Sequence, residues 1–226
     1  MGNQNVTIIL VHGAWGDGSH WRHVIENLHA EGYAVRSVQN PLTSAEDDIQ
    51  KTKDLIDLQM GKVVLVGHSY GAAGHHEKVA GLVFIAAFAP DKGESLSGIF
   101  SRREKPSGAS SIVPDAKGFL WIKHDKFHES FAHDLNEKDA IVMSLAQKPT
   151  HGSIFVAEAD EPAWKTKPSW YQVSDNDHMI PPATQIEMAE RINAKKIIHL
   201  ATSHASLATH PNEITALIKE AVSAVS

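Results

Sequence analysis

The segment Gly67-His68-Ser69-Tyr70-Gly71 places one hydroxyl between two glycines, directly after the apolar run "VVLV" at 63–66. A serine hydroxyl is a weak nucleophile by itself and needs a base to take its proton. It also needs a sharp turn that lifts Oγ clear of the backbone. Side chains two residues to either side would collide across such a turn, so glycine is required there. The backbone N–H groups that follow then point at the atom under attack, where negative charge develops. The chemistry implied is acyl transfer through a covalent intermediate. The competing reading is a glycine-bounded tight turn with an incidental serine. An apolar strand before the turn and a helical pattern after it favour the first.

The base is expected on the loop after the last strand, and the carboxylate that orients it on the loop after the preceding one. In "IIHLATSHASLATHP", His204 lies on that last loop, whereas His199 falls inside the strand and His210 precedes the final helix. In "SWYQVSDNDHMIPP" the carboxylates are Asp175 and Asp177. Asp177 opens a D-x-x-x-P pattern ending at Pro181 and is preferred; Asp175 reads as a turn residue. In "LVHGAWGDGSHW", Gly13 lets the backbone come close to the serine turn. The Ala14 N–H would then join the Tyr70 N–H as an oxyanion hole. Trp15 and Trp21 are expected to pack at the domain edge.

These residues need a scaffold that brings four loops to one edge. Short β-branched runs at 6–11, 33–39, 62–67, 79–88, 169–174 and 195–200 read as six strands. Their apolar runs are continuous rather than alternating, which indicates a parallel sheet covered on both faces. Helical patterns lie between them. Ser19 is expected to cap a helix through Ala30, and Thr43 with Glu46 has capping-box spacing. "PPATQIEMAERI" and "PNEITALIKEAVSAV" supply two more helices. The class expected is an α/β fold of one domain over 1–226, an open parallel sheet flanked by helices. Residues 90–167 break the rhythm after the fourth strand and read as a helical cap insertion over the ligand crevice. Within them "FLWIKHDKFHESFAHDL" and "EKDAIVMSLAQ" read as helices. Phe119, Trp121, Phe127, Phe131 and Met143 are candidates for the cap's apolar underside. Trp121, Met179 and Trp164 are the residues expected to line a substrate pocket.

Composition narrows the partners. The chain has 226 residues, a net charge of −6 and no Lys/Arg-rich run, which argues against nucleic acid and anionic membranes. It has no cysteine, so disulfides, thiolate catalysis and Cys-ligated metals are excluded. It has fifteen histidines, enough to carry the net charge past zero on acidification. His124 and His128 have the i, i+4 spacing of a zinc pair. The adjacent Glu of a metalloprotease helix and a third ligand are missing, so a solvated cap face is expected. His75 and His76 face different directions on a helix. No cofactor and no metal are implied. No signal segment or membrane span is read, so the sequon at Asn5 is taken as chance and a cytoplasmic location is expected. Aromatic residues without a cationic clamp suggest a small-molecule substrate that is neutral and partly apolar. Oligomeric state is not legible.

The motifs "LVHGAW", "GHSYG", "VAGLVFIAAFAPDKGES", "PAWKTKPSWY", "DHMIPP" and "SHASLATHP" occur in the order found in the α/β-hydrolase superfamily. The chain resembles that superfamily over nearly its whole length. Within it the chain is similar to the compact branch of plant methylesterases, hydroxynitrile lyases and small bacterial serine hydrolases. The resemblance implies the α/β-hydrolase fold and a serine hydrolase acting on a small ester, with Ser69, Asp177 and His204 as its triad. There are two departures. The plant lyases carry Thr after the first-strand His, where this chain has Gly13; that argues against lyase chemistry. Similar bacterial proteins carry a full helix after "GHSYG", whereas "AAGHHEK" at 72–78 leaves roughly two turns. The alternatives are therefore an impaired, ligand-binding member of the fold, or lyase or perhydrolase chemistry on the same scaffold.

Overall fold

The structure, a computed structural model, describes residues 5–71, 76–103 and 105–226. In chain order its strands are β1 (Val6–Val11), β2 (Ala34–Ser37), β3 (Lys62–His68) and β4 (Val79–Ile85), then β5 (Ile112–Pro114), β6 (Phe119–Ile122) and β7 (Thr150–His151), and last β8 (Ser169–Ser174) and β9 (Lys196–Leu200). The helices are α1 (Arg22–Ala30), α2 (Ala45–Asp57), α3 (Leu96–Phe100), α4 (His124–Phe131) and α5 (Glu137–Leu145), followed by α6 (Ser153–Val156), α7 (Pro182–Arg191), α8 (Ser206–Thr209) and α9 (Pro211–Val225).

Six strands form one sheet in the order β2-β1-β3-β4-β8-β9, and every pair in it is parallel. From β1 the chain turns first to one side, to β2, and then back to the other, to β3. The C-terminal ends of β1 and β3 therefore flank the crevice that a reversal of strand order creates. Successive residues of a strand face opposite sides. Val64 and Val66 pack with Trp21, Val24, Leu28, Leu217 and Ile218, under α1 and α9. Val63 and Leu65 pack on the other face with Ile56, Met188 and Tyr171, under α2 and α7. Each large side chain buried in these layers contributes about 1.5–3 kcal/mol. This two-sided burial is why the strands read as continuous apolar runs.

Two helix starts differ from the sequence expectation. Ser44, not Thr43, caps α2: its Oγ accepts from Asp47 N at 3.1 Å. Thr43 Oγ1 donates instead to Asp47 Oδ2 at 2.7 Å. Before α1, Asp17 rather than Ser19 is the cap; it accepts from Ser19 N at 2.7 Å and starts a short 3₁₀ turn, Gly18–Trp21.

The chain between β4 and β8 is not wholly helical. Residues 119–122, expected to open a helix, form β6, the middle of a three-stranded antiparallel sheet ordered β5-β6-β7. The cause is local. Asp115 Oδ1 accepts from Lys117 N and Phe119 N at 2.8 and 3.0 Å, and Gly118 takes φ 83, which closes a tight turn. The turn hands the β-favouring run Phe-Leu-Trp-Ile to a hairpin, and α4 begins only at His124. The shortened segment after "GHSYG" lies largely outside the described residues, at 72–75. From His76 the chain turns at once into β4, with Val79 N donating to His76 O at 3.2 Å. Among the described residues, no helix is long and apolar enough to cross a membrane.

Candidate active site

β3 ends at His68, and Ser69 follows with φ 56. This left-handed conformation costs a non-glycine residue roughly 1–2 kcal/mol. Backbone bonds hold it there: Ser69 N donates to Ile85 O at 3.2 Å, Phe88 N to Ser69 O at 2.9 Å, and Gly71 N to His68 O at 2.8 Å. The flanking glycines are sterically required. A Cβ on Gly67 would lie 2.4 Å from Gly71 O, and one on Gly71 would lie 2.9 Å from Val11 O. A Cβ on Gly13 would lie 2.6 Å from Ser69 Cβ, which measures how closely the β1 loop approaches the serine.

His204 and Asp177 come together from the loops after β9 and β8. His204 Nδ1 donates to Asp177 Oδ2 at 2.6 Å, and both side chains are fully buried. Asp177 Oδ1 accepts from Met179 N and Ile180 N at 2.7 and 2.9 Å. A proton fixed on Nδ1 leaves the lone pair on Nε2, which is buried and without a partner. No hydrogen bond joins Nε2 to Ser69 Oγ among the described residues; catalytic contacts of this kind often close only around substrate. His68 ties the end of β3 to the His204 loop: its Nε2 donates to His204 O at 2.9 Å, with the rings 4.7 Å apart. Phe131 meets the His204 ring edge-on at 4.9 Å. Asp175 instead pairs with His199 at the surface, at 2.8 Å. His210 contacts Thr209 at the start of α9.

His68 and His20 lie beside His204, and His12 lies beside those two. Burial pulls His68 well below its ordinary range, lowers His12, and brings His20 down to about 4. All three stay neutral at neutral pH, so none opposes a positive charge forming on His204.

The Ala14 and Tyr70 N–H groups have no acceptor among the described residues, and both residues line the cavity that holds Ser69. The next N–H, that of Trp15, is occupied, donating to Thr150 Oγ1 at 3.0 Å. Trp15 has φ 60, its Nε1 donates to Leu120 O at 2.9 Å, and its carbonyl accepts from Lys148 N at 3.2 Å. The β4–β8 segment therefore pins the β1 loop.

The cavity has a volume of about 610 Å³ and is walled by Phe88, Phe100, Ile112, Leu120, Phe155 and Met179. Met179 lines it; Trp121 and Trp164 do not. Trp121 is on the face of β6 opposite Leu120, and its Nε1 donates to Asp115 Oδ2 at 3.2 Å. Trp164 donates to Pro90 O at 3.0 Å and lines a second cavity of about 280 Å³ beyond Tyr70 and Phe88. Trp15, expected at the domain edge, is a wall of the Ser69 cavity, while Trp21 is buried beneath the elbow. Arg103 and Lys105 stand in the cavity lining, where no cation was expected; Arg103 is paired with Glu187 at 2.7 Å. Phe127 and Phe131 are fully buried. His124 meets Ser144 Oγ at 3.1 Å and His128 meets Leu135 O at 2.9 Å, so the two do not converge. Among the described residues no group of three His, Asp or Glu side chains is placed to hold a metal.

An open parallel sheet with its strained serine turn at the switch point defines the class of α/β-hydrolase-fold enzymes. A family model described as the alpha/beta hydrolase family matches residues 8–217, and the chain belongs to that family. It is 25% identical over 247 residues to the alpha/beta hydrolase nvfD of Aspergillus novofumigatus, covering 95% of each chain. It is 24% identical to methylesterase 7 of Arabidopsis thaliana, covering 96% of each. A solved pyrethroid hydrolase from Sphingobium faniae superposes with a TM-score of 0.80 at 22% identity, covering 96% of this chain and 97% of that one.

Proposed function

We propose that the protein is a serine hydrolase that cleaves carboxylic esters of partly apolar small molecules. Ser69 Oγ attacks the ester carbonyl carbon while His204 Nε2 takes its proton. Asp177 keeps the imidazole in the Nδ1–H tautomer and stabilises its charged form. The Ala14 and Tyr70 N–H groups receive the oxyanion. Collapse of the tetrahedral intermediate expels the alcohol with the proton held by His204. Water then attacks the acyl-enzyme by the same route and releases the acid. The segment between β4 and β8 serves as the cap, and its Phe100, Ile112, Leu120 and Phe155 set the apolar character of the substrate.

The observation that carries this reading is the buried 2.6 Å bond from His204 Nδ1 to Asp177, which leaves Nε2 as a free base. Names of relatives such as methylesterase and pyrethroid hydrolase support ester cleavage, and a cavity of about 610 Å³ suits drug-sized ligands. The test is hydrolysis of short-chain nitrophenyl esters by the protein and by Ser69→Ala, with intact masses read after exposure to a fluorophosphonate. Turnover and a single adduct, both absent in Ser69→Ala, are expected. A folded protein that neither turns over nor labels refutes the proposal.

A further inference from the structure

Beneath the His204–Asp177 pair lie five polar side chains to which the proposed mechanism above assigns no role, namely Gln172, Ser174, Gln185, Thr202 and Ser206. All are fully buried. Burying uncharged polar groups is costly unless they are paired, and these pair with one another. Gln172 Nε2 and Thr202 Oγ1 each donate to Ser174 Oγ at 3.0 Å. Ser206 Oγ donates to Gln172 Oε1 at 2.9 Å. Ser174 N donates to Gln185 Oε1 at 3.0 Å. Thr202 and Ser206 flank His204, while Ser174 and Gln185 flank Asp177. The cluster therefore joins the loop that carries the acid to the loop that carries the base.

Gln185 is the member that reaches the acid. Its Nε2 donates to Asp177 Oδ2 and to Ile180 O, both at 2.8 Å. Its amide cannot turn over, because Oε1 faces a donor and Nε2 faces two acceptors. Asp177 thus accepts four hydrogen bonds, two on each oxygen, and Gln185 shares Oδ2 with His204. A donor on that oxygen does two things. It stops the carboxylate rotating away from the imidazole, and it draws off part of the negative charge that His204 meets.

We infer that Gln185 is a positioning residue of the reaction, acting through Asp177; this rests on the proposed function above. The other ionisable groups around the pair are few. His68 and His20 face His204 and are held neutral by burial. Tyr171 lies near Asp177. Asp134 accepts from Ser203 N at 3.0 Å, and the Asp175–His199 pair is at the surface. None of them bonds to the carboxylate. Among the described residues, Gln185 is therefore its one side-chain donor besides His204.

The test is Gln185→Met, which keeps the length and volume and removes both donors. The carboxylate then faces His204 with more of its charge, the imidazolium is favoured, and the base is lost at a higher pH. The acid limb of the kcat/KM profile is expected to move up by about half a pH unit to one unit. kcat is expected to fall about tenfold to a hundredfold with KM within about twofold, since the lost interaction supports the chemical step. Gln172→Met is the control: it removes buried hydrogen bonds of the same cluster without touching Asp177, and should lower the melting temperature without moving the limb. A limb that stays in place in Gln185→Met, or moves equally in Gln172→Met, overturns the inference. If Gln185→Met does not fold, Gln185→Leu, which also removes the donor and puts no polar group in its place, is read in its stead; its limb must move up in the same way, and an unmoved limb overturns the inference equally. Fluorophosphonate labelling of the wild type separates the two levels. A wild type that does not label refutes the function itself, whereas one that labels beside an unchanged Gln185→Met profile refutes only the role of Gln185.

Discussion

Asp177→Asn exchanges one heavy atom, an oxygen for a nitrogen, and should nearly silence the protein, for a reason that can be worked out bond by bond. Asp177 Oδ1 accepts two backbone N–H groups, from Met179 and Ile180. An asparagine must place its oxygen there, because its NH₂ would meet two donors. The NH₂ then occupies the Oδ2 position, facing His204 Nδ1 and Gln185 Nε2, which both donate to it now. His204 can keep the contact only by moving its proton to Nε2, and the lone pair proposed to take the serine proton is gone. Gln185 cannot relieve the second clash, since turning its amide would set Oε1 against Ile180 O and Nε2 against Ser174 N. The tautomer error alone is worth about 10⁴ in kcat, close to 5.5 kcal/mol of transition-state stabilisation. The clash of buried donors costs a further 1–3 kcal/mol of stability, roughly the penalty for an unmade buried hydrogen bond. The assay is kcat/KM for a nitrophenyl ester alongside a urea melt, with fluorophosphonate labelling slowed in parallel. Activity within about tenfold of wild type would show that Asp177 does not set the tautomer of the base, and the triad reading would fail.

Three further outcomes follow from other parts of the molecule. Ser69→Gly should be inactive yet more stable than Ser69→Ala by about 0.5–1 kcal/mol, because glycine relieves the positive φ; equal urea midpoints would show that the turn is not strained. Acid should destabilise the fold. His12, His20 and His68 are held below 6.5 by burial, so the unfolded chain binds more protons than the folded one once pH falls through 6.5, and the loss continues until the folded groups titrate, at about 4 for His20. Each contributes a slope of at most about 1.4 kcal/mol per pH unit, so stability should fall steeply between pH 6.5 and 5 and less steeply in His20→Gln; a flat profile in urea titrations refutes this. Ala109→Trp at the cavity wall should cut kcat/KM for long-chain nitrophenyl esters about tenfold and leave the acetate within about twofold, since only the longer chain needs the filled volume.

What the sequence makes legible depends on how local the cause is. Strand positions and the serine turn are readable because they rest on periods and spacings within a few residues: "VVLVG" and its glycines leave one steric solution. The pairing of Asp177 with His204 is readable because topology brings the loops after the last two strands to one edge, whatever the details. The hairpin at 119–122 is not, because its cause is an Asp115 side chain closing a turn against a run that also carries helical periodicity. Trp164 and Trp121 escape a sequence reading for a related reason: an aromatic ring's role follows from where its polar atom finds a partner, and Pro90 O and Asp115 Oδ2 settle that in space. The place of Trp15 in the wall comes from Thr150 and Leu120, more than a hundred residues away in the chain. Gln185 stands in plain view within "PPATQIEMA", but a glutamine in an amphipathic helix reads as a solvated residue. Its burial becomes visible only when α7 packs against β8, and the same packing makes it matter. A polar side chain survives in such a place only when every one of its bonds is made, and one of those bonds ends on the carboxylate proposed to steer the base.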